Sequence, residues 1–343
     1  MPHHNPALTT PAAPPRQAWS LIRRVARSFA LSLQVLPPVM RWPVALAYVL
    51  ARASDTVADA PIAGHPGPAS AQMRLQALQE LRAAFQGARG TAQVQTTQSS
   101  LVALISELAP SSERTLLELV PAWLTALHQL PAKEQRLISE VCTTIIDGQQ
   151  TDLQRFPAAQ LDAEQVKALA TTLEMDEYTW QVAGCVGRFW CLICEAHLPG
   201  WRTSDLEQMM SSGIVYGKSL QRLNILRDTA TDLRQGRCYW PIEELSRVGL
   251  DAPRLAQAIA QRDLTALEPM VPLLRDWIRE IRMGLSTGLA YCGQIPHWRL
   301  RTASALPALI GLLTLQALEK AGAVALMNPL KISRSQVRWI LLR

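Results

Sequence analysis

Apolar positions recur every three or four residues along most of the chain, the spacing of helices that bury one face. The first such stretch starts near Trp19 and runs to about Leu36, where Pro37-Pro38 stops it. A second spans roughly 39–60 and ends at the loop "PIAGHPGP"; a third covers about 69–86 and gives way to a polar, glycine-bearing linker, "QGARGTAQVQTTQ". Further helices are predicted near 99–109, 112–129, 131–148, 163–173, 176–197 and 205–233, the last closed by "RQGRCYWP" with its Gly236 and Pro241. Beyond it come candidates at 241–247, 253–261, 264–292, 298–322 and 331–342. The run "ALPALIGLLTLQAL", 305–318, is shorter than the roughly 20 residues of a spanning helix, so a buried core helix is expected. No repeat of fixed period and no change of composition marks a second domain. Residues 1–17, proline-rich and without a hydrophobic signal core, read as a disordered tail, and 18–343 as a single all-α domain of ten or more helices.

Composition supports that class. Of 343 residues 48% are hydrophobic and only 17 are glycine, with alanine and leucine abundant, which suits a large helical core. The net charge of +6 is compatible with an anionic surface or substrate. The basic residues form no long run and no nucleic-acid-binding signature is present, so no nucleic-acid partner is expected. The six cysteines fall mostly in apolar helical stretches. "CLIC" at 191–194 has the spacing of a redox or zinc pair but lacks a second pair, and reads as small buried thiols in a reducing cytoplasm.

Two stretches carry the chemistry. In "ARASDTVADA", 51–60, Asp55 and Asp59 stand four apart inside an apolar helix, with Arg52 and Tyr48 continuing their face. In "QRLNILRDTATDL", 221–233, Asp228 and Asp232 repeat the spacing, with Asn224 one turn earlier and Arg227 alongside. Residues i and i+4 share a helix face about 6 Å apart along the axis, and like charges there destabilise the helix by a few tenths of a kcal/mol. A single such pair is usually a solvated helix face. Two pairs in apolar helices call for a compensating cation. Carboxylate oxygens are hard ligands of the kind Mg²⁺ takes alongside phosphate oxygens and water. Arginines beside them can take the remaining phosphate charge in bidentate contacts. The pattern thus describes a site for a Mg²⁺-bound diphosphate with an apolar tail.

Four segments, "ARSFALSLQVLPPVMR" (26–41), "LARASDTVAD" (50–59), "YTWQVAGCVG" (178–187) and "LQRLNILRDTATDLRQGRCYWP" (220–241), resemble in order and spacing the motifs of the squalene/phytoene synthases. These are the head-to-head prenyltransferases of the isoprenoid-synthase fold, and the resemblance runs from about residue 19 to the C-terminus. It implies a multi-helix bundle around a central apolar cavity, in which Asp55, Asp59, Asp228 and Asp232, with Asn224, hold Mg²⁺ (or Mn²⁺) and the substrate diphosphates. Arg27, Ser28, Arg52, Arg227 and Arg237 match diphosphate-gripping positions, and Phe29, Tyr48 and Gln221 the cavity wall. Tyr178 aligns with the tyrosine of the first half-reaction, where it would steer the cation or accept the proton lost on ring closure. Gly184 and Gly187 would let their helix pack closely. At Ala58 eukaryotic squalene synthases have a further acid, so one metal ligand is replaced or absent.

Within that family the resemblance leans towards squalene synthase. "DTVAD" and "GRCYWP" are similar to its forms of the two motifs, and "PLKISRSQVRWIL" to its segment for the NADPH phosphates. Lys331 aligns there, whereas the family's arginine falls on Ser333 with Arg334 one step later. The implied reaction is condensation of two farnesyl diphosphates through presqualene diphosphate to squalene, with hydride from NADPH. Phytoene, dehydrosqualene and presqualene diphosphate synthases are the enzymatic alternatives, and a non-catalytic scaffold relative the alternative of another class. The resemblance implies a cytoplasmic protein, monomeric or weakly oligomeric. No C-terminal anchor is read, and contact with the inner face of the membrane would be peripheral, through the lipid product.

Overall fold

The computed structural model describes residues 16–26, 29–59, 68–87, 111–156, 166–328 and 330. Apart from one two-residue strand pair it is helical throughout. The N-terminal part runs α1 (Arg16–Val25), α2 (Phe29–Val35), α3 (Pro38–Asp59) and α4 (Pro68–Phe85). Then come α5 (Ser111–Glu118), α6 (Val120–His128) and α7 (Ala132–Arg155). The strand β1 (Lys167–Ala168) leads into α8 (Thr172–Thr179), a π-helical turn (Trp180–Gly184) and α9 (Cys185–His197). The long α10 (Leu206–Arg234) is followed by β2 (Arg237–Cys238), α11 (Ile242–Arg247), α12 (Ala252–Gln261) and α13 (Leu264–Leu267). The described part closes with α14 (Met270–Gly293), α15 (Trp298–Ala321) and a 3₁₀ turn (Gly322–Leu326).

α3 is apolar nearly all round, with Met40, Val44, Leu46, Val49, Leu50, Ala53 and Val57 buried on several sides, as expected of a helix with little wet face. It packs on α4, α6 and α7, while α10 lies against α9, α14 and α15. The two halves of the core meet around a cavity between these groups. α10 starts at Asp205, whose side chain accepts the Gln208 amide, and stops at Gly236, whose φ of +79° turns the chain out. Close approach of α9 to α10 depends on glycine: a Cβ on Gly187 would lie 2.0 Å from the Gly213 carbonyl oxygen. The packing role read for Gly187 therefore has a direct steric cause.

Several helices predicted as continuous are interrupted. The stretch 19–36 is two helices, α1 and α2, and α1 begins at Arg16, inside the 1–17 read as tail. The 112–129 stretch breaks between Glu118 and Val120, with Pro121 starting the second piece. The 264–292 stretch breaks at Glu268-Pro269. No helix spans 163–173 among the described residues there; Lys167 and Ala168 pair in parallel with Arg237 and Cys238, because that alignment satisfies backbone groups of both segments. The helices read at 99–109 and 331–342 lie outside the described residues. The apolar 305–318 run belongs to a 24-residue helix extended by Trp298–Ser304. With its 3₁₀ continuation it is the one element among the described residues long and apolar enough to cross a membrane, and a third of its most apolar window is buried. All six cysteines are free and buried, Cys191 with its Sγ 3.6 Å from Tyr291 Oη.

Candidate active site

A cavity of about 740 Å³ opens between α2, α3, α7, the π turn with α9, α10 and α15. That volume lies within the range of about 300–1,000 Å³ usual for small-molecule sites. Its wall is apolar along Val182, Val186, Leu220, Leu306 and Ile310, and strongly acidic at one end. Asp55, Asp59, Asp228 and Asp232 all line it, as do Asn224, Gln221, Arg227, Arg237, Tyr178, Phe29 and Tyr48. Residues from positions 29 to 237 are thus brought to one surface.

The first acid pair takes its hydrogen bonds from outside its helix. Gln149 of α7 donates its Nε2 to Asp55 Oδ1 at 2.5 Å, and Arg237 reaches Asp59 Oδ1 from β2 at 3.2 Å. Although the Asp55 side chain is 43% exposed, that area faces the cavity, and burial followed by repulsion from Asp59 pushes its carboxyl up to about 6. The second pair is held from within. Arg227 forks onto Asp228 at 2.9 and 2.5 Å, and this hydrogen bonding raises the guanidinium's pKa. Asp232, pushed up to about 8 by burial and then by Asp228, makes no ion pair of its own and feels Arg237 and Arg227 only at longer range.

Behind the acids sits a group that motif reading missed. Asp152 of α7, buried at 7% exposure, accepts a 2.8 Å hydrogen bond from Tyr239 Oη and lies 3.3 Å from Arg237 Nη1. Arg237 therefore bridges Asp59 and Asp152. Burial alone would lower its pKa, but Tyr239, Asp152 and Asp59 together raise it above the ordinary arginine value. Tyr239 stacks on Tyr178 with ring centroids 4.9 Å apart, and their hydroxyls are 3.5 Å apart. The π turn directly after α8 inserts a wider helical turn between Tyr178 and the small residues Gly184 and Gly187, a distortion frequent at functional sites. A weak signal for Asp152 existed: Gln149 and Asp152 stand at i and i+3 in "GQQTDL", on the α7 face that runs on from the apolar Cys142, Ile145 and Ile146.

Not every sequence-read residue reaches the cavity. Arg52 pairs with Glu113 at 2.6 Å and stands 3.8 Å from Asp55, and it is not among the residues lining the wall. Trp240 of "GRCYWP" is a core residue. It stacks on Trp277 at 3.9 Å and donates to Thr229 Oγ1 at 3.2 Å, pinning the segment that carries Arg237 and Tyr239 against α10. Ala58, where an acid was noted as missing, lines the cavity, and its carbonyl accepts from Arg74 Nη1. Arg27, Ser28, Lys331 and Arg334 lie outside the described residues.

The donor set suits a hard dication. On the wall five carboxylates face two guanidiniums, and Gln149 Oε1 is buried beside Asp55 with no partner. Among the described residues no three acids, histidines or cysteines converge on one point. Each aspartate pair therefore needs oxygens from elsewhere to complete an octahedral shell, as Mg²⁺ does with phosphates and water.

The model of the family described as squalene/phytoene synthase matches residues 22–339. The chain belongs to the squalene/phytoene synthase family. Its members are prenyltransferases. A squalene synthase from Eremothecium gossypii is 27% identical over 234 residues, 66% of this chain and 46% of its own length. A 15-cis-phytoene synthase from Synechocystis is 25% identical over 245 residues, 69% of this chain and 59% of its own. The chain thus spans about half the length of the curated relatives it matches. Among solved structures, a ligand complex of TcSQS superposes with a TM-score of 0.75 at 22% identity, covering 95% of this chain and 85% of the other. That likeness establishes the isoprenoid-synthase type of fold for this family member. Squalene and phytoene synthases both stand among the relatives, so product specificity has to be argued from the residues.

Proposed function

We propose that this chain is a squalene synthase, joining two farnesyl diphosphates head to head through the cyclopropyl intermediate presqualene diphosphate. The observation that carries the reading is the convergence of both aspartate pairs, Arg227 and Arg237 at the polar end of an otherwise apolar cavity. Diphosphates sit at that end and prenyl chains along Leu220, Leu306 and Ile310. Asp55, Asp59, Asn224, Asp228 and Asp232 would hold Mg²⁺, which when bound would supply Lewis-acid stabilisation of diphosphate charge. Arg237 and Arg227 take part of the remaining phosphate charge. The apolar wall excludes water from the allylic cation, and Tyr178 lies on that wall beside the acidic end, where the proton lost on ring closure can be taken up. In this reading NADPH would supply the hydride of the second half-reaction, and the sequence resemblance assigns Lys331 and Arg334 to its phosphates.

Support for squalene over phytoene comes from the "DTVAD" and "GRCYWP" forms of the motifs and from the "PLKISRSQVRWIL" segment. The experiment is incubation with farnesyl diphosphate and Mg²⁺, with and without NADPH. Squalene with NADPH, and presqualene diphosphate or dehydrosqualene-type products without it, is the expected outcome. Product and rate indifferent to NADPH, or a strong preference for geranylgeranyl diphosphate, would move the chain to the dehydrosqualene or phytoene branch.

A further inference from the structure

The buried carboxylate of Asp152 belongs to neither aspartate pair, yet it ends a chain of hydroxyls that starts on the cavity wall. Tyr178 Oη donates to Tyr239 Oη at 3.5 Å, and Tyr239 Oη donates to Asp152 Oδ1 at 2.8 Å. Both bonds point the same way, from cavity to carboxylate. The other carboxylate oxygen faces Arg237 Nη1 at 3.3 Å, and Phe156 closes on the Tyr239 ring edge-on at 5.5 Å. All three residues of the chain line the cavity. We propose that Tyr178, Tyr239 and Asp152 form the proton exit of the cyclopropane-forming step, with Asp152 as the final acceptor. The inference rests on the head-to-head reading above.

The step balances without a further reactant. A C–H bond next to the cationic carbon breaks, and its electron pair closes the three-membered ring. The proton goes to Tyr178 Oη, the Tyr178 hydroxyl proton passes to Tyr239 Oη, and the Tyr239 proton passes to Asp152 Oδ1. Both phenols end neutral and the carboxylate ends as the acid. Tyr178 acting alone would have to be a phenolate, yet burial and the nearby Asp152 push its hydroxyl well above the ordinary tyrosine value. Asp152, lifted by burial to about 6, is still ionised at neutral pH and more basic than an exposed aspartate. The charged groups facing it are Arg237, Arg155, Asp59 and, through Arg237, Asp232. The 3.5 Å link is long for a hydrogen bond between hydroxyls, and catalytic bonds of this kind commonly tighten as the reaction proceeds.

The competing account makes Asp152 a mere anchor for Arg237. Tyr239→Phe separates the two, since it keeps the ring stack, the Phe156 contact and the Asp152–Arg237 pair and removes one hydroxyl. The measurement is single-turnover formation of the cyclopropyl diphosphate from farnesyl diphosphate and Mg²⁺ without NADPH. Tyr239→Phe and Asp152→Asn should each slow it about 100-fold, the low end of what general acid–base catalysis contributes, and Tyr239→Phe should do so with KM and helix content unchanged. The wild type should show a solvent deuterium isotope effect, because hydroxyl protons move in the step, and Tyr239→Phe should lose it. A wild-type rate with the isotope effect intact in Tyr239→Phe overturns the relay, and so does a raised KM at unchanged rate. If the wild type makes no cyclopropyl product at all, the parent reading falls with it; if it does and Tyr239→Phe matches it, only the relay falls.

Discussion

The two aspartate pairs have the same spacing on their helices and opposite electrostatic settings. Asp55 and Asp59 are hydrogen-bonded by groups from distant segments, Gln149 on α7 and Arg237 on β2, the latter 178 positions away, with Arg52 of their own helix 3.8 Å from Asp55. Asp228 is held by its sequence neighbour Arg227, and Asp232 has long-range attraction from Arg237 and Arg227 but no ion pair. The first pair is thus preorganised by the tertiary fold and shares its cation with Asp152. The second carries its own counter-ion and keeps one acid without a close one. A motif of fixed spacing specifies which face the acids share but leaves open which charges will balance them.

Removing one ligand from each pair should have the largest effect. Asp55→Asn and Asp228→Asn are each expected to lower turnover at least about 100-fold, given that the developing charge is stabilised at this site, with helix content unchanged. Near-normal turnover in either, measured with saturating Mg²⁺, would break the equivalence of the two pairs.

Arg237→Ala tests the asymmetry directly. It strips the cation from Asp59 and leaves Asp152 buried with only Tyr239 donating to it. Breaking a buried pair from one side costs about 3–5 kcal/mol, so a lower melting temperature should accompany the lost activity. Arg227→Ala, beside a more accessible carboxylate, should lose activity with a smaller drop in melting temperature. Equal drops would mean that the first pair is no more preorganised than the second.

The unbalanced acid predicts a pH dependence. A carboxyl whose folded pKa lies above its unfolded one binds more protons when folded. Its contribution is therefore most favourable below the unfolded value near 4 and is lost as pH rises towards the folded value of about 8 for Asp232. In Mg²⁺-free buffer the wild type should melt at progressively lower temperature from pH 6 to pH 8. Asp232→Asn should flatten that slope more than Asp55→Asn does, because Asp55 is raised only to about 6, and an unchanged slope in Asp232→Asn would assign it to another group.

The smallest effect is expected at Arg52. Its ion pair with Glu113 is partly exposed, and such pairs contribute about 0–1 kcal/mol. Arg52→Ala should cost a few-fold in turnover at most. A loss comparable to that in Arg237→Ala, read from kcat/KM, would restore the diphosphate contact that the sequence pattern implies.

What the sequence by itself determined is whatever depends on local periodicity. Apolar spacing marks α3 and α10 as helices, and i, i+4 spacing places each aspartate pair on one face, because helical geometry is a short-range property. The same rule could not see that α1, α5 and α13 stop at Val25, Glu118 and Leu267, since those breaks follow from packing and local turn chemistry. Nor could it see the short β1–β2 pairing in a segment of helical propensity, where backbone hydrogen bonds to a strand 70 residues away outweigh that propensity. Asp152 fell beyond the helix predicted over 131–148, which in fact runs on to Arg155. Tertiary structure alone made it part of the site, by delivering Arg237 and Tyr239 to it on a segment pinned by the Trp240–Trp277 stack. Arg52, conversely, had the right spacing and was turned towards Glu113 instead. Which partner balances a buried charge depends on contacts across the whole chain, and those exist only once the helices have packed.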